Sequence, residues 1–227
     1  MSKFSKTQWM VLLLAALCLL TAAYFYPKLP DQIPTNWSFD GQVAYGGKGT
    51  IWGIAALGAV MGPMLLFLPK IDPRKRNYQK FQGAYDGFCL FMELFILGMM
   101  GIILSESFHP GRIKVSTVVV SLCGVLFAVM GNILPKVKSN FFMGIKNPWT
   151  LSDPEVWNRT HRLAGKLFFF GGLVIFALPW FLSERPLFFL FFALAMVITL
   201  VPTVCSYLWY QQRQRAGLEQ DDDPTTY

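Results

Sequence analysis

The chain has 227 residues, of which 54% are hydrophobic and only 15% charged, and it carries a formal net charge of +7. That balance excludes a soluble domain, because several windows reach the roughly 18–20 apolar residues that cross a bilayer. The basic residues cluster between the apolar stretches, so anionic lipid and membrane topology account for the charge and no direct nucleic-acid binding is expected.

Six spans are expected, at about 9–26, 50–68, 87–104, 115–134, 167–182 and 187–208. The first follows a basic start, as a signal peptide would. Its apolar run is long, however, ends in Tyr24, Phe25 and Tyr26, and lacks a small-residue cleavage pattern, so it reads as a span. The loop at 27–48 carries Pro27, Pro30 and Pro34, whose short spacing predicts an extended, polyproline-like path. Asp40-Gly41 and Gly46-Gly47 mark turns in it. In the second span Gly58 and Gly62 form a small-residue face that permits close helix approach, and Pro63 predicts a kink.

The connection at 69–86 is basic. The third span holds Glu93, the one acid expected inside a span, at an insertion cost of at least about 2.5–3.5 kcal/mol for Asp, Lys or Arg at such depth. It is either a proton or ligand site or a buried structural hydrogen bond, with Asn132, Ser121 and Thr199 as candidate partners. The four cysteines lie in apolar spans without metal or disulfide spacing and read as small buried hydrophobes. His109 and His161 lie in different loops, so no metal site and no cofactor are expected. The acidic tail, Asp221-Asp222-Asp223, reads as disordered.

The segment at 131–166 is the longest that cannot lie in lipid. Lys136, Lys138, Lys146, Arg159, Arg162 and Lys166 make it basic, and Phe141, Phe142, Trp149 and Trp157 give it apolar surface. Ser152 with Glu155 three residues on reads as a helix start, with Pro154 in the first turn. Val156, Trp157, Thr160, Leu163, Ala164 and Leu167 then recur at helical spacing, so an amphipathic helix is expected to lie at the membrane surface and run into the fifth span.

Fifteen of the twenty Lys and Arg residues fall in the N-terminus, the 69–86 connection, the 131–166 segment and the tail; the other five fall in the alternate loops. The positive-inside rule then puts both termini and the basic loop in the cytoplasm, and the proline-rich loop outside. The fold class expected is an all-α polytopic membrane protein of six transmembrane helices, N-in and C-in, with a cytoplasmic amphipathic helix between spans four and five.

Two blocks carry a resemblance. Gly131-Asn132, Pro135-Lys136, Asn140, Gly144-Ile145, Pro148-Trp149-Thr150-Leu151-Ser152, Trp157, His161-Arg162 and Ala164-Gly165 resemble the signature of the SdpI family. Leu29-Pro30, Ile33-Pro34-Thr35, Trp37, Gly41 and Gly47-Lys48 resemble the DUF1648 module often found at that family's N-terminus. That module usually has a histidine where this chain has Asn36.

The resemblance implies a DUF1648-like module at 1–86 and an SdpI-like four-span region at 87–227, with its basic loop at 135–166. It also implies a multi-pass immunity protein of the bacterial cytoplasmic membrane. The family's type member protects against a secreted, membrane-active peptide, the SDP toxin, and draws a cytoplasmic transcriptional repressor to the membrane. The implied site residues are Asn140, Gly144, Pro148, Trp149, Thr150, Trp157, His161 and Arg162 in the inner loop, and Pro34, Asn36, Trp37 and Gly41 in the outer loop. Trp149, Trp157, His161 and Arg162 are the residues expected to act at the inner face. The runner-up function is a small transporter or exporter that uses Glu93 as a coupling acid. An enzyme ranks last, because no nucleophile, paired acid and base, or zinc spacing is present.

Overall fold

The computed structural model of the chain describes residues 4–38 and 42–217. Gly41 and Asp40 of the outer loop, and the acidic tail, therefore lie outside the described residues. Six helices in the described residues are long and apolar enough to cross a membrane. They are α1 (Lys6–Phe25), α2 (Ile51–Ile71), α4 (Gln82–Phe108), α5 (Val115–Ile133), α7 (Pro154–Ala177) and α8 (Glu184–Arg215). Two short helices, α3 (Lys75–Tyr78) and α6 (Pro148–Ser152), lie in the connections at one end of the bundle. At the opposite end two antiparallel strands, β1 (Gln32–Trp37) and β2 (Val43–Gly47), form a hairpin.

The hairpin corrects the expected polyproline path and adds a strand element to the all-α expectation. Gly46 and Gly47 are paired strand residues opposite Ile33 and Gln32, and do not form a turn. Pro34 is accommodated beside a register shift between Pro34 and Asn36, where a residue without an N–H costs no ladder bond. Ile33, only 1% exposed, anchors the hairpin in a cluster with Ile51, Cys18 and Met100.

Local chemistry explains why the helices begin and pack as they do. Ser5 caps α1 and Gln8 bonds back to the Ser5 N–H, a capping box. Both side chains then donate to Asp86, at 3.1 Å each, which ties the start of α1 to α4. Pro63 and Pro69 both lie within a continuous α2. Pro69 has no N–H for the Leu65 carbonyl, and the Tyr85 hydroxyl donates to that carbonyl instead, at 2.6 Å. The Gly58–Gly62 face is buried, and a side chain at Gly58 would collide with Cys18 Sγ.

Packing divides the bundle into two halves. α1, α2 and α4 pack on one another and on the hairpin; α5, α7 and α8 form the second group. The packed halves divide after α4. α5 and α7 make the most extensive contact of the molecule. Their backbones touch: a Cβ at Gly131 would stand 2.3 Å from the Phe169 nitrogen, and one at Gly124 would stand 2.4 Å from the Phe176 nitrogen. Gly171 and Gly172 do not break α7; Gly172 is part of this same close crossing. A third apolar cluster, with Leu66, Tyr78, Tyr85, Ile133, Val137 and Trp157, joins the halves at the end opposite the hairpin. Both described chain ends lie there too, since Ser5 bonds to Asp86 and Arg213 pairs with Asp153.

Candidate functional site: a latched loop at one end of the bundle

After α5 the chain makes a short 3-10 turn at Leu134–Lys136 and then crosses to α6 without regular structure. Side chains supply the hydrogen bonds that secondary structure would otherwise provide. Asn140 is fully buried and saturated. Its Oδ1 accepts from the N–H groups of Phe142 and Met143, at 2.9 and 2.7 Å, and from the Tyr78 hydroxyl at 3.0 Å. Its Nδ2 donates to the carbonyls of Lys138 and Met143. Asparagine is the side chain that offers both an acceptor and two donors in this space.

His161 holds the next turn. Its Nε2 accepts from the Ile145 N–H at 3.1 Å, so Nδ1 carries the proton and donates to the Trp157 carbonyl at 2.8 Å. Gly144 lies against this ring with φ +109°; a Cβ there would stand 2.3 Å from Nε2. The Trp157 ring stacks on His161 with centroids 4.0 Å apart, and its indole N–H donates to the Val137 carbonyl at 2.9 Å. Asn147 caps α6 by accepting from the Thr150 N–H, and Thr150 Oγ1 donates to the Ile145 carbonyl.

The second half of this latch comes from the connection between α2 and α4, read from sequence only as a basic loop. Asp72 Oδ2 accepts from the Phe141 N–H at 2.9 Å, and the Tyr78 hydroxyl stands between Asp72 and Asn140. Burial, with the nearby Asp72 carboxylate, pushes the Tyr78 phenol up, so it remains a donor. Asn77 donates to the Ser139 carbonyl at 2.8 Å, and Arg74 bonds both the Ser139 hydroxyl and the Leu151 carbonyl.

The structure changes several sequence readings. The cap of α7 is Asp153, not Ser152: Asp153 Oδ1 accepts from the Glu155 and Val156 N–H groups. Ser152 instead closes α6 through the Pro148 carbonyl, because α6 occupies the residues before the cap. The amphipathic stretch is the first part of α7 and continues into the span without a break. Its buried face includes His161 besides Val156, Trp157, Thr160 and Ala164. Trp157 and His161 are each 1% exposed. Their rings pack into and hydrogen-bond the loop, so neither lies on the surface at this end.

Trp149 is half-buried against Tyr207, Pro148 is exposed in the first turn of α6, and Thr150 is buried. Arg162 is exposed, with only a long 3.9 Å approach to Glu155. The surface open at this end carries Arg162, Arg159 beside the Trp209 ring, Lys146, Phe141 and Phe142.

Of the outer-loop residues, Pro34 is buried, Asn36 is exposed and Trp37 is half-buried. Within the bundle Glu93 is fully buried, with no hydrogen-bond partner at either oxygen. It lies against Gly62, where a Cβ would come within 2.7 Å of Oε1. None of the proposed partners reaches it. Asn132 is exposed and accepts from Lys136, Ser121 donates to the Phe176 carbonyl, and Thr199 bonds its own helix. The four cysteines are free. No group of three His, Cys, Asp or Glu side chains among the described residues is placed to hold a metal.

The fold and this loop define a multi-pass helical membrane protein with a polar latch at one end of the bundle. Residues 136–206 match the SdpI/YfhL protein family, and residues 13–59 match a domain of unknown function, DUF1648. The chain thus resembles the SdpI/YfhL family, with a DUF1648-like module toward its N-terminus. It is 22% identical over 201 residues to Immunity protein SdpI of Bacillus subtilis (strain 168), covering 88% of this chain and 94% of that one. No solved structure matches.

Proposed function

We propose that the chain is a membrane immunity protein that protects its cell from a secreted, membrane-active peptide. The observation that carries this reading is the similarity to Immunity protein SdpI along nearly the whole of both chains. The latch supports it: a family-matched segment is held in one conformation by buried side chains, as a presented surface requires.

The hairpin end faces outside in this reading, and both termini lie in the cytoplasm. The three-to-one excess of Lys and Arg in the segments at the latched end supports that orientation. Arg159, Arg162, Lys146, Phe141 and Phe142 then form a basic and aromatic surface toward the cytoplasm. It suits the anionic leaflet and an acidic or apolar patch on a cytoplasmic repressor. The protein acts by binding and not by catalysis.

A transport reading needs Glu93 to meet water or substrate. The packing of Glu93 against Gly62, with zero exposure, leaves it no path to either and weighs against that reading. Glu93→Gln therefore keeps protection here and would abolish proton-coupled export.

The test is survival of a sensitive bacterium that expresses this chain, challenged with the SDP-type peptide and with unrelated membrane-active peptides, at expression levels checked by blot. Selective protection against the SDP-type peptide is expected. Protection against every peptide would favour an exporter, and no protection would remove the immunity reading.

A further inference from the structure

The two halves part toward the hairpin end. Between them lies a cavity of about 670 Å³, within the usual range of ligand pockets. Its walls come from every element that meets there. Trp37 and Tyr45 of the hairpin form one side, Ile103 of α4 another, and Val119 of α5 with Phe191 and Phe192 of α8 the rest. The hairpin lies in the DUF1648 match and Phe191 and Phe192 in the SdpI/YfhL match, so the cavity exists only where the two modules meet.

Three features describe the occupant. The walls are mostly apolar and aromatic, which suits side chains such as Leu, Val or Phe. The cavity also reaches Lys114 and Glu184, both exposed, so charges of both signs stand at its margin. The Trp37 indole N–H is buried and has no acceptor, although such a group almost always finds one. A hydrocarbon chain from the bilayer would match the walls and leave the indole unpaired. A peptide brings apolar side chains, a backbone carbonyl for the indole, and termini or side chains for the marginal charges.

We propose that this inter-half cavity is a binding site for an apolar segment of a membrane-active peptide, with the Trp37 indole N–H donating to a backbone carbonyl of that segment. The proposal rests on the immunity reading for the identity of the peptide, but not for the existence of the site.

The test uses the full chain in vesicles of phosphatidylethanolamine and phosphatidylglycerol, with the photoreactive amino acid benzoylphenylalanine at Val119 and, as control, at the exposed Leu173 of α7. Irradiation with labelled SDP-type peptide should cross-link it at Val119, in competition with unlabelled peptide, and not at Leu173. Trp37→Phe keeps the ring and removes the donor; it should weaken binding about tenfold, the worth of one well-placed hydrogen bond. Ile103→Trp, from the opposite wall, should block the cross-link at Val119, and Ile103→Trp and Val119→Trp should each abolish protection, with thermal unfolding used to confirm that the variants fold.

If the wild-type chain protects cells but neither filling variant matters and no cross-link forms, the cavity proposal fails and the immunity reading stands. Saturable cross-linking without protection would keep the site and remove the immunity reading. A lipid adduct at Val119 that the peptide does not displace would overturn the proposal in favour of a bound lipid.

Discussion

The two ends of this bundle are held together by different chemistry. At the latched end, side chains from two connections interlock through hydrogen bonds around Asn140, Tyr78 and His161, with Asn77 Oδ1 and Thr160 Oγ1 left unpaired. At the hairpin end the contacts are mostly apolar, with Glu106 accepting from the Gly111 and Ile113 N–H groups; the halves separate, and a cavity with an unpaired indole N–H lies between them. Buried hydrogen-bond networks specify one arrangement, because a half-made network costs more than an apolar contact that can slide. The comparison supports reading the motif residues as conformational fixtures, and it assigns the proposed peptide-driven change to the other end.

Asn140→Ala should produce the largest effect. It strips five hydrogen bonds from a site with no access to water, so a loss of about 3–4 kcal/mol is expected, as for other broken buried networks. Limited proteolysis should then cleave first at 137–147. At the hairpin end, Ile33→Ala should cost about 2–3 kcal/mol by opening space in the apolar cluster, read as a fall in thermal midpoint in detergent. If Ile33→Ala proved costlier than Asn140→Ala, the assignment of the rigid end would be reversed.

Trp157→Phe retains the stack on His161 and deletes the bond to the Val137 carbonyl, a change worth about 1–2 kcal/mol in the same assay. Asp153 separates two roles. Asp153→Asn keeps an N-cap acceptor and weakens the pair with Arg213, whereas Asp153→Ala removes both, so the alanine variant should be worse by about 1 kcal/mol. Arg162→Ala should be the mildest, at under about 0.5 kcal/mol, because its side chain is 66% exposed. Any loss of protection in that variant would then report on partner binding and not on folding.

Much of the fold was legible in the sequence. The six spans follow from runs of apolar residues, and the 131–166 segment stood out by its charge and its motif. Asp153 and Ser152 both suit a cap, and only the presence of α6 decides between them. The hairpin was missed because three prolines outweighed the strand residues; Pro34 is tolerated through an irregular register that no local rule signals. The partners of Asn140 were not legible at all. Tyr78 lies 62 residues away and Asp72 reaches Phe141 across 69, and such polar pairings leave no periodic trace. His161 looked like a surface group beside Arg162, yet one helical step places it on the buried face.

The most direct test of the central claim is a pair of distance measurements by double electron–electron resonance in nanodiscs, with the four native cysteines replaced. One label pair, at Gln79 and Lys146, spans the latch; the other, at Ala44 and Arg185, spans the hairpin end. All four positions are exposed. A narrow distribution at the latch, unchanged by SDP-type peptide, is expected, together with a broader one at the hairpin end that shifts or narrows when the peptide is added. A latch distance that moves with peptide while the hairpin end stays fixed would contradict that claim.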